Sequence, residues 1–298
     1  MSDRAPALSP SRAGDFKQCP LLYRYRAIDR LPEPPSAAAA LGTLVHGVLE
    51  DLFALPAAAR DEAAAMALLA PRWDAMVAER PEYGSLHQSV AAEAQWFGDA
   101  RERLRTYFEM ETPSRIEPEG REMLVETQLE DGPLLRGIID RVDVAADGSV
   151  RIIDYKTGRS PDPRFGQKER FQMRFYVLVV ERLRGRRPAL ARLIFLRDAR
   201  HVDLHPTDED LAAVEHEVRE LWREITASAA AGEFRPQKSK LCGWCSFQGL
   251  CPAFGGTPPP LDPDAVEAAI GVRPASADGP AELPSSALER TPLGDVPE

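Results

Sequence analysis

The sequence predicts a mixed α/β fold in which a small central sheet is flanked by helices. The stretch "LGTLVHGVLEDLFAL" carries its apolar residues at helical spacing. The period then shortens, and "MLVETQL", "LLRGIIDRVDVA", "VRIIDYKTG" and "ARLIFLRD" read as strands. Helices are predicted for "FGQKERFQMRFYVLVVERL", which lies between the last two strands, and for "DEDLAAVEHEVRELWREITASAAAGEF". This order of elements is typical of one mixed sheet covered by helices.

The domain boundaries follow from composition. The Ala-rich region from Ala57 to Glu111 predicts further helices, with Pro71 and Pro81 as breakers. Residues 256–298 are rich in Pro, Ala, Gly and acids, and they lack aromatic residues. Such a segment buries too little apolar surface to offset its ordering entropy. We therefore predict one folded domain over residues 1–255 and a disordered tail over 256–298, with room for a short helix at Asp262–Ile270.

Charge and hydropathy restrict the function classes only in part. The net charge of −10 argues against a nucleic-acid partner, but the tail contributes −6 of it through eight acids and two arginines. The body then carries only −4 and contains the basic stretches "RFGQKERFQMRFY" and "ERLRGRRP". No apolar run is long enough for a membrane span and no apolar leader begins the chain, so we expect a cytoplasmic protein without a membrane partner. The sequence has no GxxxxGK[ST] phosphate loop.

The strand end "RIIDYKTG" carries an acid and a lysine two residues apart. Alternation places Asp154 and Lys156 on one face of the strand. One interpretation is a surface ion pair, which contributes about 0–1 kcal/mol. The other is a catalytic acid beside a catalytic base or charge stabiliser.

The preceding hairpin decides what faces this pair. "RGIIDRVDVAADGSVRIIDYKTG" has Asp147 and Gly148 at its tip. A two-residue loop would leave Asp154 on the face opposite to Asp140. A three-residue loop ending in a left-handed Gly148 would place Asp140 directly opposite Asp154.

In the second register, the two carboxylates repel each other unless a cation lies between them. Carboxylate oxygens suit Mg²⁺ or Mn²⁺, and such an ion can polarise a phosphoryl group and activate a water molecule. Lys156 could then orient or deprotonate that water or stabilise the developing charge. The alternative is a hairpin with an exposed polar face.

Three further polar residues lie on predicted helices. His46 lies at the edge of an apolar helical face, and Gln172 and Tyr176 are separated by one helical turn. From periodicity alone, each of them is more often a packing residue than a catalytic one.

The four cysteines are unexpected for a cytoplasmic chain. "CGWCSFQGLCP" contributes Cys242, Cys245 and Cys251 with metal-site spacing, and Cys19 lies far upstream. Four thiolates can hold either Zn²⁺ or a [4Fe–4S] cluster, and the ligand chemistry leaves both possibilities open.

Four short motifs in order resemble the PD-(D/E)XK nuclease superfamily, and within it the RecB-like exonucleases. They are "GTLVHGVLE" with His46, "GIID" with Asp140, "DYK" with Asp154 and Lys156, and "QMRFY" with Gln172 and Tyr176. The resemblance extends over most of the chain from Leu8 to Pro252. It implies a restriction-endonuclease-like core with a helical N-terminal region and a cysteine-ligated C-terminal cap.

The resemblance also implies residue roles. His46, Asp140, Asp154 and the backbone carbonyl of Tyr155 would bind the metal, and Lys156 would be the catalytic lysine. Gln172 and Tyr176 would contact DNA or support the active site. One cysteine before the core and three after it resemble the iron-staple nucleases, which implies a [4Fe–4S] cluster at Cys19, Cys242, Cys245 and Cys251, with Zn²⁺ as the alternative.

We therefore expect an Mg²⁺- or Mn²⁺-dependent DNA exonuclease that acts on single strands or DNA ends in repair or recombination. The alternatives are an accessory DNA-binding subunit that serves a helicase, and a CRISPR-associated spacer-processing nuclease. A helicase partner is possible in the first two cases.

Overall fold

A computed structural model describes residues 6–162 and 166–274. Its α-helices are α1 (Pro10–Gln18), α2 (Pro20–Tyr23), α3 (Ala37–Ala54), α4 (Glu62–Glu79), α5 (Val90–Met110), α6 (Gln167–Arg184), α7 (Asp208–Ala231) and α8 (Pro263–Ile270). Its strands are β1 (Ala7–Leu8), β2 (Pro118–Gln128), β3 (Leu134–Val144), β4 (Val150–Lys156), β5 (Leu190–Phe195) and β6 (Arg200–Leu204). The element types and their order confirm the predicted mixed α/β architecture.

The strands form one mixed sheet. β2, β3 and β4 are successive antiparallel neighbours, β4 and β5 are parallel, and β6 closes the edge antiparallel to β5. The short β1 runs parallel to the first residues of β3. On that side of β3, β1 pairs only with Leu134 and Leu135, and β4 pairs with residues 141–144. Within residues 6–162 and 166–274, no strand pairs with the stretch of β3 between them on that side, which opens the sheet in front of the end of β4.

Helices cover both faces of the sheet. Val150 and Ile152 of β4 belong to a core shared with α1, α6, α7 and α8. Ile153 and Tyr155, which alternate with them, belong to a second core shared with α3, α4 and α5. The sheet therefore lies between two apolar layers, and each residue at the end of β4 faces one of them.

Helix α3 belongs to the second core. By length and composition alone it could cross a membrane, but half of it is buried inside the protein. Its apolar face packs against α4 and α5. The high hydropathy of α3 is therefore that of a helix whose apolar residues are buried in the second core.

The β3–β4 hairpin has the predicted three-residue loop. Val144 pairs with Val150, and the Ala145 N–H donates to the Ser149 carbonyl at 2.9 Å. The loop is therefore Ala146 to Gly148, and Gly148 has a left-handed φ of 76°. Glycine adopts this conformation without the steric cost of a Cβ atom. Continued from the pair Arg141–Ile153, this register places Asp140 opposite Asp154.

One of the two predicted helix breakers, Pro71, differs from the structure. Pro71 does not break a helix, because it lies inside α4. A proline within a helix removes one backbone hydrogen bond, but Leu69 and Trp73 on either side of it are buried in the second core. This packing holds α4 continuous across Pro71. Pro81, by contrast, does follow a helix end, since α4 ends at Glu79.

The C-terminal segment is folded beyond residue 255. Helix α8 buries Val266, Ala269 and Ile270 in the first core, and Arg24 donates to the Pro259 carbonyl at 2.5 Å. The disordered tail predicted from Gly256 therefore does not begin before residue 275. Residues 275–298 lie outside the described residues.

Candidate active site

The acid and the lysine at the end of β4 form a closed network with α6. The Lys156 Nζ lies 2.5 Å from Asp154 Oδ2. Gln172 bridges the two residues, since its Nε2 donates to Asp154 Oδ1 at 2.7 Å and its Oε1 accepts from Lys156 Nζ at 2.9 Å. Asp154 is only 5% exposed. The pair is therefore not the surface ion pair that the strand pattern alone allowed.

Asp140 lies beside this network at the splayed end of the hairpin. Its Oδ2 accepts a hydrogen bond of 2.6 Å from the Tyr155 N–H. Burial, followed by the charge of Asp140, raises the pKa of Asp154 to about 6, against the lowering effect of Lys156. Burial and a second carboxylate therefore both disfavour the charged form of Asp154.

His46 reaches the same place from α3. Its Nδ1 lies 3.4 Å from Asp140 Oδ2. Burial by itself would lower the pKa of His46, but the carboxylates of Asp140, Asp154 and Glu122 together more than offset this, and the net shift is upward. The structure therefore brings together His46, Asp140, Asp154 and Lys156, which the sequence motifs had singled out.

Glu122 completes a group that sequence reasoning missed. The ligand atoms of His46, Glu122 and Asp140 all lie within 4.8 Å of one another. Glu122 has a left-handed φ of 41°, a conformation that is uncommon for a residue other than glycine and often found at functional sites. The β2–β3 register could have revealed it, because Arg121–Arg141 and Met123–Ile139 pair on either side of Glu122 and Asp140.

The donor set suits a hard divalent cation. Two carboxylates and one imidazole are ligands that Mg²⁺ or Mn²⁺ accepts in proteins. Burial and the neighbouring Asp140 raise the pKa of Glu122, as they do for Asp154. A cation at this position would neutralise that repulsion. Asp154 lies outside this compact three-residue group.

Tyr176 lies on the same helix as Gln172 but has a different neighbour. A Cβ atom on Gly137 would lie 2.4 Å from the Tyr176 ring. Only glycine therefore lets this ring pack against β3. The contact joins the "GIID" and "QMRFY" motifs, and burial raises the pKa of Tyr176 well above its usual value.

Tyr155 presents only its backbone to the site. Its side chain points to the other face, where its hydroxyl accepts a hydrogen bond of 2.6 Å from Arg141 Nη1. Arg141 is 1% exposed and also pairs with Glu111 and Asp143. Sequence reasoning missed this buried cation, which holds β3 and β4 together directly behind the acids.

A cavity of about 720 Å³ opens in front of Lys156, Gln172 and Tyr176. The charged residues that line it are five cations and one acid, namely Arg12, Arg26, Arg136, Lys156, Lys168 and Asp15. Three of these cations also pair with acids, since Arg26 contacts Asp15 and Glu33, Arg136 contacts Glu126 and Lys156 contacts Asp154.

All four cysteines line one small, mostly apolar cavity of about 30 Å³ at the junction of α1 and α2 with the C-terminal segment. None of them forms a disulfide. The N–H groups of Gln237 and Ser239 donate to the sulfurs of Cys19 and Cys242, each at 3.3 Å. Such hydrogen bonds are typical of metal-bound thiolates.

The spacing of the cysteine sulfurs does not by itself define a cluster. Across residues 6–162 and 166–274, no three of these sulfurs belong to a ligand group with spacings within 4.8 Å. A single zinc ion with Zn–S bonds near 2.3 Å would require sulfurs about 4 Å apart. The four thiols thus surround one place without forming a compact set for one ion.

Comparisons with known proteins agree with this geometry. Residues 7–252 match the sequence model of the PD-(D/E)XK nuclease superfamily. The "Gene 69 protein" of Mycobacterium phage D29 is 28% identical over 277 residues, which cover 84% of this chain and 98% of the phage protein. Its namesake in Mycobacterium phage L5 is 32% identical over 127 residues, or 42% of this chain and 41% of the phage protein.

A similar fold occurs in a solved structure. The crystal structure of a Eubacterium rectale protein named "Putative exonuclease" superposes with a TM-score of 0.53 and 17% identity, covering 80% of this chain and 86% of the other. At this identity, the likeness shows the fold. Together with the family match over most of the chain, it shows that this protein belongs to the PD-(D/E)XK nuclease superfamily, whose members are metal-dependent nucleases.

Proposed function

We propose that the protein is a DNA exonuclease that hydrolyses phosphodiester bonds in single strands or at DNA ends, with Mg²⁺ or Mn²⁺ as its cofactor. The observation that carries this proposal is the junction of two groups at the end of β4. The Asp154–Lys156–Gln172 network lies beside the ligand group of His46, Glu122 and Asp140. Lys156 and Gln172 of the first group line a cleft whose charged residues are five cations and one acid.

Each residue has a role that its contacts support. His46, Glu122 and Asp140 would hold the divalent ion, with Asp154 and the Tyr155 carbonyl as the further ligands that the family resemblance implies. When bound, the ion would polarise the phosphoryl group and lower the pKa of a water molecule. Gln172 fixes the position of Lys156 Nζ, so that the ammonium group can orient the attacking water or stabilise the charge on phosphorus.

The cleft supports DNA as the substrate. Arg12, Arg136 and Lys168 can neutralise phosphates on the approach to Lys156. Within the superfamily we assign the chain to the RecB-like exonucleases, because the four motifs follow one another in the order of that group. A role in DNA repair or recombination, a helicase partner and a cytoplasmic location are parts of the same proposal.

For the cysteines we propose a [4Fe–4S] cluster, with Zn²⁺ as the alternative. Support comes from four free thiols around one apolar cavity and from backbone N–H groups directed at two of the sulfurs. Such a group would join the N-terminal helices to the segment after α7 and would act structurally. Iron, sulfide and zinc analysis of anaerobically purified protein distinguishes the two cofactors.

The nuclease proposal is tested with DNA labelled at the 5′ or the 3′ end. The substrates are a linear single strand, a blunt duplex and a covalently closed single-stranded circle, each with Mg²⁺, Mn²⁺ or EDTA. We expect the linear single strand to be shortened from an end, the circle to remain intact, and EDTA to stop the reaction. Cleavage of the circle at the linear rate would indicate an endonuclease instead. No cleavage with either ion would favour the accessory DNA-binding role.

A further inference from the structure

Two large apolar side chains are exposed in the charged cleft. Leu124 of β2 and Ile138 of β3 are directly opposite each other in the sheet, and they are 58% and 49% exposed. Both line the same cavity as Lys156, Gln172 and Tyr176. Side chains of this kind normally pack in a core, and their exposure within a cleft indicates a binding surface.

The surroundings of this pair determine what can bind there. Arg136 precedes Ile138 by two residues on β3, and Arg12 and Lys168 also line the cavity. The Lys168 side chain passes over Gly14 of α1, where its Cε lies 3.8 Å from the position of a Cβ atom. The cavity thus combines an aliphatic floor, formed by Leu124 and Ile138, with cationic side chains that include Arg12 and Lys168. An occupant of matching chemistry has a flat apolar face and negative charge along its edge.

We propose that the Leu124–Ile138 pair is the floor on which an unpaired base of the DNA strand stacks next to the metal site. This inference rests on the proposed nuclease function and specifies its substrate. Arg12 and Lys168 match the phosphates of a strand, and aliphatic side chains such as Leu and Ile can pack against the flat face of any base. In an intact duplex the base faces are covered by their neighbours, so this floor favours a strand whose bases are splayed apart.

Leu124 and Ile138 lie close to the proposed metal ligands along their strands. Ile138 precedes Asp140 by two residues on β3, which corresponds to about 7 Å along a strand. Leu124 follows Glu122 by the same interval on β2. A base on the floor therefore lies next to the ligand group, and its own phosphate or the adjacent one can reach the acids.

The test compares the variants Leu124→Ser and Ile138→Ser with the wild-type protein and a control. Leu183→Ser is the control, because Leu183 is 51% exposed on α6 but does not line this cavity. Binding of a fluorescein-labelled single strand is measured by anisotropy in EDTA, so that no cleavage occurs. The same titration is repeated with a strand of equal length in which several central nucleotides are abasic.

We expect each floor variant to raise the Kd for the normal strand by about tenfold, which corresponds to about 1.4 kcal/mol and is of the order expected for one lost aliphatic contact. On the abasic strand the wild-type protein and the floor variants should bind equally, and the control should match the wild type on both strands. Unchanged binding of the normal strand by the floor variants would overturn the inference, as would an equal loss on both strands. Because binding is measured without a divalent ion, these outcomes are independent of whether the protein cleaves DNA.

Discussion

The acidic site and the cysteine site differ in how far the protein itself fixes their side chains. At the end of β4, Asp154, Lys156 and Gln172 hold one another at 2.5–2.9 Å, and Asp140 is fixed by a backbone N–H. The cysteines surround a cavity, but three of their sulfurs never come within 4.8 Å of one another in the described chain. The side chains of the first site are thus held by one another, whereas the cysteine sulfurs are not drawn into a compact group. Changes at the first should affect catalysis, and changes at the second should affect folding.

The largest effect is expected at Lys156. Lys156→Met retains the aliphatic stem but removes the ammonium group that lies between Asp154 and Gln172. We expect cleavage of single-stranded DNA to fall by about 10²–10⁴-fold, as is usual for the loss of a catalytic acid–base group. The melting temperature should stay within a few degrees. Lys17→Met is the matched control, because Lys17 is ion-paired to Glu217 on the surface. Wild-type rates in Lys156→Met would exclude the proposed site.

At Cys19 we expect a loss of stability while DNA cleavage is retained. Cys19→Ser removes the only N-terminal thiol of the four, so the link between α1–α2 and the segment after α7 is lost. We expect the bound iron to be lost and the melting temperature to fall by roughly 5–10 °C, as a loss of a few kcal/mol would produce. Divalent-ion-dependent cleavage should persist at low temperature, and Lys156→Met should retain its full iron content. An unchanged melting temperature with full visible absorption would show that Cys19 is not a ligand.

An intermediate effect is expected at Glu122. Glu122→Gln removes one charged oxygen from the ligand group but preserves its shape. Calorimetric titration with Mn²⁺ should show an affinity reduced by about 10–100-fold, the range found when groups that support a metal site are changed. Glu119→Gln, on the same strand, removes an exposed carboxylate that pairs with Arg184 and should bind Mn²⁺ normally. Equal Mn²⁺ affinities in the two variants would remove Glu122 from the site.

The smallest effect is expected at Gly137. In Gly137→Ala the added Cβ would clash with the Tyr176 ring, and such overpacking costs about 1–3 kcal/mol of the free energy of unfolding. In a Tyr176→Ala background the ring is absent, and the same substitution should cost much less. Denaturant titration of the four proteins in this cycle measures the coupling. Additive effects would show that the glycine has no role in seating the tyrosine.

Much of the site could be predicted because its signals are local. The three-residue loop ending in Gly148 fixed the register of β3 and β4, and Asp140 lies opposite Asp154 as expected. Lys156 and Gln172 were singled out separately by motif, and the structure joins them. The roles of these residues in metal binding and catalysis stay predictions until the variants are measured.

The features that the sequence did not reveal depend on contacts between elements that are distant in the chain. Glu122 was missed because the predicted strand began at Met123, whereas β2 begins at Pro118 and includes Glu122. β1 and β6 are too short to show a period, and only their neighbours in the sheet define them. Pro71 was expected to break a helix that packing on α3 keeps continuous, whereas the short helix expected at Asp262–Ile270 is present as α8. At Pro71, the burial of its neighbours Leu69 and Trp73 outweighed the tendency of proline to end a helix.

The most direct test of the central claim is a crystal structure of the wild-type protein soaked in Mn²⁺ and measured for anomalous scattering. The account predicts an anomalous peak within about 2–2.5 Å of the His46 ring nitrogen and of oxygens from Asp140 and Glu122, a usual range for such ligands. A second peak at the iron edge should lie among the four cysteines. Manganese bound only elsewhere, in crystals of protein that cleaves DNA with Mn²⁺, would contradict the assignment of this site.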